Sequence, residues 1–295
     1  MIAEKQFTTY AALALAVIFW GFSFIATKIA LASFTPFCLI FARFSTAAIF
    51  FACLLFRKGA PPINKDTFTK LFLLALFQPG LYFFFETYGL KYTSATKTSL
   101  IIATIPVLVL ILSTIFLKER VRLINAAGIL MSLLGVALLV FGEREAAISS
   151  GVLWGDFLIF GAVLSATIYI IFARYLGQTI SAVQITGLQV IFGALLFLPF
   201  FLWDLGSMNW QHISMEAIIA VICLTVFATI GAFLCYNFAL SRIGAARASV
   251  FINAIPVITA FGAWTLLGET LTPIQIMGGI VVIFAVYLAN FRLQL

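Results

Sequence analysis

Long apolar runs separated by short polar breaks make up almost the whole of this 295-residue chain. Most runs are about 20 residues long, which is the length that an α-helix needs to cross a bilayer. The pattern predicts an all-α integral membrane protein with ten transmembrane helices. The predicted spans are roughly residues 8–32, 36–56, 68–90, 95–117, 122–141, 152–174, 180–202, 214–240, 245–267 and 273–292.

The composition agrees with a membrane protein and excludes an ordinary soluble domain. Apolar residues make up 64% of the chain and charged residues 9%, whereas a soluble domain has roughly 45–50% and about 25%. A globular fold of this length could not hide so much apolar surface from water. The four cysteines all lie inside apolar runs, so we interpret them as small packing residues and expect neither disulfides nor a metal site.

Lysine and arginine are unevenly divided between the predicted loops. If the N-terminus lies inside, the inner side holds 12 of these residues, and the outer side holds only Lys91, Lys97 and Arg144. This bias predicts cytoplasmic N- and C-termini in a multi-pass protein of the inner (plasma) membrane. It also accounts for the net charge of +7. Because the basic residues are scattered over many loops, we expect no nucleic-acid partner.

The chain contains an internal repeat. Residues 95–141 align with residues 245–291 without a gap, at an offset of 150, and the identical pairs include Pro106/Pro256 and Glu119/Glu269. Earlier spans match less well at an offset of 146, which pairs Lys28 with Arg174. We therefore expect two five-helix halves, residues 1–145 and 146–295. An odd number of helices per half would insert the second half upside down, which is typical of transporters with alternating access.

Several short motifs stand out along the chain: Leu117-Lys118-Glu119-Arg120 followed by Gly128, Leu267-Gly268-Glu269-Thr270 followed by Gly278, Ile105-Pro106, Ile255-Pro256, Arg43-Phe44 and Gly155-Asp156. These motifs resemble those of the EamA family of the drug/metabolite transporter superfamily. The resemblance covers essentially the whole chain. It implies a solute carrier with a 5+5 inverted repeat, and members of the family include exporters of amino acids and other small metabolites.

Among the charged residues of the first half, three lie at similar depths within predicted spans: Lys28, Arg43 and Glu86. A charge within the bilayer is costly and is expected to face a cavity or a partner. One interpretation is a structural ion pair between Glu86 and Arg43. The other is functional: Glu86 exchanges a proton or binds a substrate ammonium group, while Arg43 or Lys28 binds a carboxylate.

Other candidate residues are polar or break a helix. Aromatic side chains with a polar tip, and polar residues near the breaks, are expected to bind solute: Trp20, Tyr82, Thr104, Tyr169, Tyr236, Asn237 and Asn253. Prolines inside spans remove a backbone donor and predict either hinges or kinks that only aid packing: Pro79, Pro106 and Pro256. We expect Glu119 and Glu269 to cap the helices that follow them.

These observations favour a secondary transporter that exports a small organic metabolite, such as an amino acid, by alternating access. The alternative is a proton-coupled efflux carrier for a drug or another metabolite (a nucleobase or a sugar-like solute); a channel is much less favoured. The chain has no phosphate-binding loop and a single histidine, so neither ATP hydrolysis nor another enzyme activity is expected, and no cofactor. The small-residue face that begins at Gly128 permits a monomer or a homodimer.

Overall fold

The computed structural model describes residues 2–57, 64–93, 98, 101–141, 150–267 and 271–290. Almost all of these residues are helical, and no strand occurs among them. The α-helices are α1 (Ile2–Leu31), α2 (Pro36–Arg57), α3 (Lys65–Ala75), α4 (Tyr82–Tyr92), α5 (Ile105–Phe116), α6 (Leu123–Phe141), α7 (Ser150–Leu176), α8 (Ala182–Asp204), α9 (Met215–Cys223), α10 (Ala232–Leu240), α11 (Ala245–Ser249), α12 (Ile255–Leu267) and α13 (Pro273–Asn290).

Eight helical stretches within the described residues are long and apolar enough to span a membrane. They are residues Gln6–Leu31, Pro36–Arg57, Lys65–Tyr92, Leu153–Leu176, Ala182–Ser207, Met215–Leu240, Ala245–Gly262 and Pro273–Asn290. The chain is therefore a multi-pass membrane protein. The other two predicted spans correspond to the shorter apolar helices of α5 and α6, whose flanking residues are partly outside the described ranges.

Several helices begin at side chains that satisfy their first backbone N–H groups. The oxygen of Asn64 accepts from the Thr67 N–H at 2.8 Å, and Ser214 accepts from Ala217 at 3.2 Å. Before α13, Gln275 Oε1 accepts from the Thr272 N–H at 2.8 Å, while Thr272 Oγ1 accepts from the Gln275 N–H at 3.3 Å. These reciprocal bonds form a capping box, in which two donors without helical partners are satisfied.

Two of the long spans are interrupted in the middle. The segment Leu76–Leu81, between α3 and α4, is a kink at which Gln78 has an extended backbone (φ −146°, ψ 116°), and the segment Leu224–Gly231, between α9 and α10, is π-helical. Subtracting 150 from the second range gives 74–81, so the two segments occupy corresponding positions of the repeat. The first contains Pro79, which follows Gln78 through a cis peptide bond.

The repeated prolines lie at the starts of helices. Pro106 is the second residue of α5, directly after a turn at Ala103 and Thr104. Pro256 is the second residue of α12, after the 3₁₀ segment Val250–Ala254. First-turn N–H groups have no partner within a helix, so these prolines cost no hydrogen bond. The α-helical path is interrupted just before each of them.

The helices pack in a reciprocal pattern across the repeat. Helix α1 packs against α10 and α12, and its counterpart α7 packs against α4 and α5. Helix α2 packs against α8, and α6 against α13. Gly128 and Gly135 of α6 touch Ala289 and Val282 of α13, so α13 covers the small-residue face of α6 within the monomer.

Contrary to the expectation from the sequence, Glu119 does not cap the helix that follows it. Helix α6 begins only at Leu123, and Lys118 has a left-handed backbone with φ 51°. Glu119 Oε1 instead accepts from the Ala245 N–H at 3.0 Å, at the start of α11. The non-helical residues before α6 leave the carboxylate in contact with the second half. Glu269 lies outside the described residues.

Candidate solute-binding site

A narrow cavity lies at the centre of the helix bundle. Its walls include six of the residues that the sequence marks as candidates: Trp20, Arg43, Tyr82, Glu86, Tyr169 and Tyr236. The free volume of about 50 Å³ is enough for a few water molecules, because one water needs roughly 10–15 Å³ on the same measure. In this conformation the cavity is therefore too small for an organic solute.

Arg43 connects the first half of the chain to the second at the cavity wall. Its side chain is buried, and Nε donates to Thr229 Oγ1 at 2.6 Å, within the π-helical segment Leu224–Gly231. The guanidinium carbon lies 4.6 Å from the ring centre of Phe83, a distance suited to a cation–π interaction. Among described residues, the Nη groups form no hydrogen bond. They are therefore available to a ligand.

Glu86 is buried at the same cavity, with an exposed fraction of 5%. Its Oε2 accepts from Thr87 Oγ1 at 3.1 Å. Within the described ranges it forms no salt bridge, so the proposed direct ion pair with Arg43 is not made in this conformation. Charges of both signs thus face one cavity without neutralising each other through direct contact.

Aromatic rings form much of the remaining wall. The ring centres of Trp20 and Tyr236 are 5.1 Å apart, and Trp20 Nε1 donates to the backbone oxygen of Ala228 at 3.2 Å. The hydroxyl of Tyr236 is buried and has no hydrogen-bond partner in the described part of the chain. A buried polar group without a partner is costly, and a bound solute could supply one here.

Tyr169 is held in the wall by a buried network behind it. Its hydroxyl donates to Asn237 Oδ1 at 2.7 Å, and Asn237 Nδ2 donates to Thr186 Oγ1 at 2.9 Å. The Nδ2 group also lies 3.4 Å from Gln189 Oε1. Asn237 itself does not line the cavity. Its position supports Tyr169 rather than direct contact with a solute.

Three other candidate residues are also outside the cavity wall. Thr104 Oγ1 donates to the Ile101 oxygen at 2.6 Å, and Asn253 Nδ2 donates to Ser132 Oγ of α6. The Thr104 hydroxyl is thus bonded within its own turn, and the Asn253 amide donates to α6, while Asn253 Oδ1 is buried with no hydrogen-bond partner among the described residues. Lys28 is exposed at the end of α1. The hinge candidates Pro79, Pro106 and Pro256 lie beside the cavity residues in sequence but not in the wall.

A family model described as the EamA-like transporter family matches residues 8–141 and again residues 153–291. The chain belongs to the EamA-like transporter family. The resemblance in the sequence motifs is thereby confirmed.

Curated relatives of this EamA-like chain are named as transporters. An uncharacterized transporter of Archaeoglobus fulgidus is 30% identical, over 94% of this chain and 96% of its own length. The uncharacterized transporter YetK of Bacillus subtilis is 27% identical, over 99% and 89%. A solved crystal structure with 17% identity superposes with a TM-score of 0.80, over 96% of this chain and 98% of that one, and it supports the fold alone.

The wall of the central cavity also includes residues that we did not single out from the sequence. Gln78 and Ser23 line it, as do the apolar residues Ile102, Ile105, Ile252 and Ile255. Gln78 is a buried polar residue next to a proline in an apolar run, which is a detectable signal. The isoleucines give no chemical signal, but they form identical pairs of the repeat, Ile102/Ile252 and Ile105/Ile255.

Proposed function

We propose that this protein is a secondary transporter that exports a small organic metabolite, such as an amino acid, by alternating access. Two five-helix halves, residues 1–145 and 146–295, would rock about the central cavity as an inverted repeat. Helices α5 and α6 would complete the ten spans. The bias of lysine and arginine supports cytoplasmic termini in an inner membrane.

The observation that carries this proposal is the pairing of the cavity wall across the repeat. Twelve of its sixteen residues are repeat counterparts at offsets of 146 or 150. The pairs are Trp20/Ala166, Ser23/Tyr169, Phe24/Ile170, Glu86/Tyr236, Ile102/Ile252 and Ile105/Ile255. A cavity on the axis that relates two similar halves can open in either direction by equivalent movements, which alternating access requires.

The chemistry of the wall is asymmetric although its positions are paired. The four lining residues without a lining counterpart all belong to the first half: Arg43, Gln78, Tyr82 and Phe83. Both charges, Arg43 and Glu86, therefore come from that half. A solute with an ammonium and a carboxylate group complements them, and the aromatic rings suit an apolar portion of the same solute. An amino acid has these features.

Solute transport can be tested with the purified protein in liposomes. A panel of amino acids, nucleobases and sugars is first screened for thermal stabilisation, because a ligand that binds the folded state raises Tm. The stabilising compound is then used in counterflow. We expect an internal load of an amino acid to accelerate uptake of the labelled compound. Stabilisation and counterflow by another class would overturn the amino-acid assignment, and uptake without trans-acceleration would indicate a channel.

The contacts of Glu86 favour a second candidate function, proton-coupled efflux of a drug or another metabolite. Its carboxylate has the hydroxyl of Thr87 as a partner but no ion pair among described residues, so a proton could bind without breaking a salt bridge. Liposomes with an imposed pH gradient distinguish the candidates. Gradient-driven accumulation would establish coupling, whereas equal initial rates with and without the gradient would favour an uncoupled carrier.

A further inference from the structure

A charged contact joins the two halves far from the cavity charges. Glu119 of the first half follows α5, and its Oε1 accepts from Arg174 Nε of α7 at 3.2 Å. The same oxygen accepts from the Ala245 N–H at 3.0 Å. The side chains of Glu119 and Arg174 are 16% and 20% exposed, so the contact is partly shielded from solvent.

Residues of the second half hold this carboxylate in place. Arg174 Nη1 donates to the backbone oxygens of Leu240 and Ser241, each at 2.9 Å. Gly244 lies directly against the carboxyl group, because a Cβ there would come 2.8 Å from Glu119 Oε2. The carboxylate is therefore held between α7, the end of α10 and the start of α11. A side chain at Gly244 would displace it.

Helix α5 connects this contact to the cavity. It begins at Ile105 in the cavity wall and ends at Phe116, three residues before Glu119. Its twelve residues span about 18 Å at 1.5 Å per residue. Along this length α5 packs against α7 and α11. Since the chain leaves the α-helical path at Ala103 and Thr104, release of Glu119 would allow α5 to pivot about its end near the cavity.

The cation at the opposite end of the repeat is unpaired within the described ranges. Lys28 is the counterpart of Arg174, since 174 minus 146 is 28; it is exposed and forms no salt bridge to a described residue. Glu269, the counterpart of Glu119, lies outside the described residues.

We propose that Glu119 and Arg174 form a latch that closes the cavity at the end of the molecule bearing the predicted inner loops. Separation of the pair admits solute from that side. The latch rests on the proposed alternating access and adds two positioning residues that do not touch the solute. When the latch is formed, the carboxyl group of Glu119 packs against Gly244.

Cysteine accessibility tests the latch without knowledge of the solute. Ser23, in the cavity wall, is changed to cysteine after Cys38, Cys53, Cys223 and Cys235 are replaced by serine or alanine. A membrane-impermeant maleimide is then applied to inside-out vesicles. Glu119→Gln removes the charge of the latch. Gly244→Ala keeps both charges but displaces the flexible carboxylate, and its backbone at φ −60° accommodates alanine without strain.

Asp66→Asn is the matched control, because Asp66 pairs with Lys70 at 2.6 Å within α3 and that pair is exposed. Gel filtration confirms that each variant is folded. We expect Glu119→Gln and Gly244→Ala to label about fivefold faster than the parent, as a charged hydrogen bond is lost from the closed state, with Asp66→Asn unchanged. Labelling of both latch variants at the parent rate would overturn the latch. Counterflow by the wild-type protein is measured in parallel. Normal counterflow with unchanged labelling would show that only the latch is wrong, whereas a lack of counterflow would contradict the proposed function itself.

Discussion

Arg43 Nε and Thr229 Oγ1 are 2.6 Å apart, and this hydrogen bond crosses the boundary between the two halves. A second contact across this boundary holds the kinked segment Leu76–Leu81 against α8: a Cβ at Gly193 would overlap the Pro79 ring. The hydrogen bond places a guanidinium in the cavity wall, and the contact with Pro79 leaves no room for a side chain at Gly193.

Replacement of Arg43 by lysine should weaken solute binding. Lysine keeps the positive charge, but one ammonium cannot both bond to Thr229 and offer a planar pair of donors to a carboxylate. We expect about tenfold weaker binding of the amino acid identified by counterflow, with the fold retained. Binding is measured from the concentration dependence of Tm. The control is Arg242→Lys, an exposed residue outside the cavity, and equal binding by both variants would contradict the role of Arg43.

Glu86→Gln should abolish the pH dependence of transport and leave expression intact. Glutamine has nearly the same shape and can still accept a hydrogen bond from Thr87, but it cannot exchange a proton. Initial rates in liposomes between pH 5 and pH 8 provide the measurement, since they separate a proton role from a packing role. A variant that transports with the wild-type pH profile would exclude proton exchange at Glu86. A variant that fails to fold would support the purely structural interpretation.

Gly193→Ala should destabilise the protein. The added methyl group would overlap the ring of Pro79 and force the kinked segment Leu76–Leu81 away from α8, at a cost of about 1–3 kcal/mol in the free energy of unfolding. The matched control is Gly206→Ala, where no heavy atom lies within 4 Å of the added carbon. Thermal unfolding in detergent compares the two variants. An unchanged Tm for Gly193→Ala would contradict the prediction, because it would show that Pro79 can move at little cost.

Pro106→Ala and Pro256→Ala test whether the breaks before α5 and α12 act as hinges. Neither proline costs a helical hydrogen bond at its position, so the stability should change by less than about 1 kcal/mol. Alanine at either position should allow the helix to continue across the break that precedes it. The loss of the break should then slow turnover. Pro273→Ala, which also lies in a first turn, is the control. Normal counterflow rates in both hinge variants would remove the hinge from the mechanism.

The fold class and part of the cavity could be predicted from the sequence because they follow from local costs. An apolar run of sufficient length has to lie in lipid, and a carboxylate such as Glu86 within it needs a polar environment. The partners of Asn237, Asn253 and Glu119 could not be predicted. Each of them forms a hydrogen bond to a distant residue, Tyr169, Ser132 and Ala245 respectively, and local sequence does not specify which segment approaches.

The opposite insertion of the two halves is the claim on which the transport mechanism depends. Val121 and Leu271 are repeat counterparts, each located shortly after a proline-bearing helix and before α6 or α13. Single cysteines at these two positions can be labelled in intact cells and in inside-out vesicles with an impermeant maleimide. The account predicts that Val121→Cys reacts from the cytoplasmic side and Leu271→Cys from the opposite side. Reaction of both cysteines from the same side would contradict it.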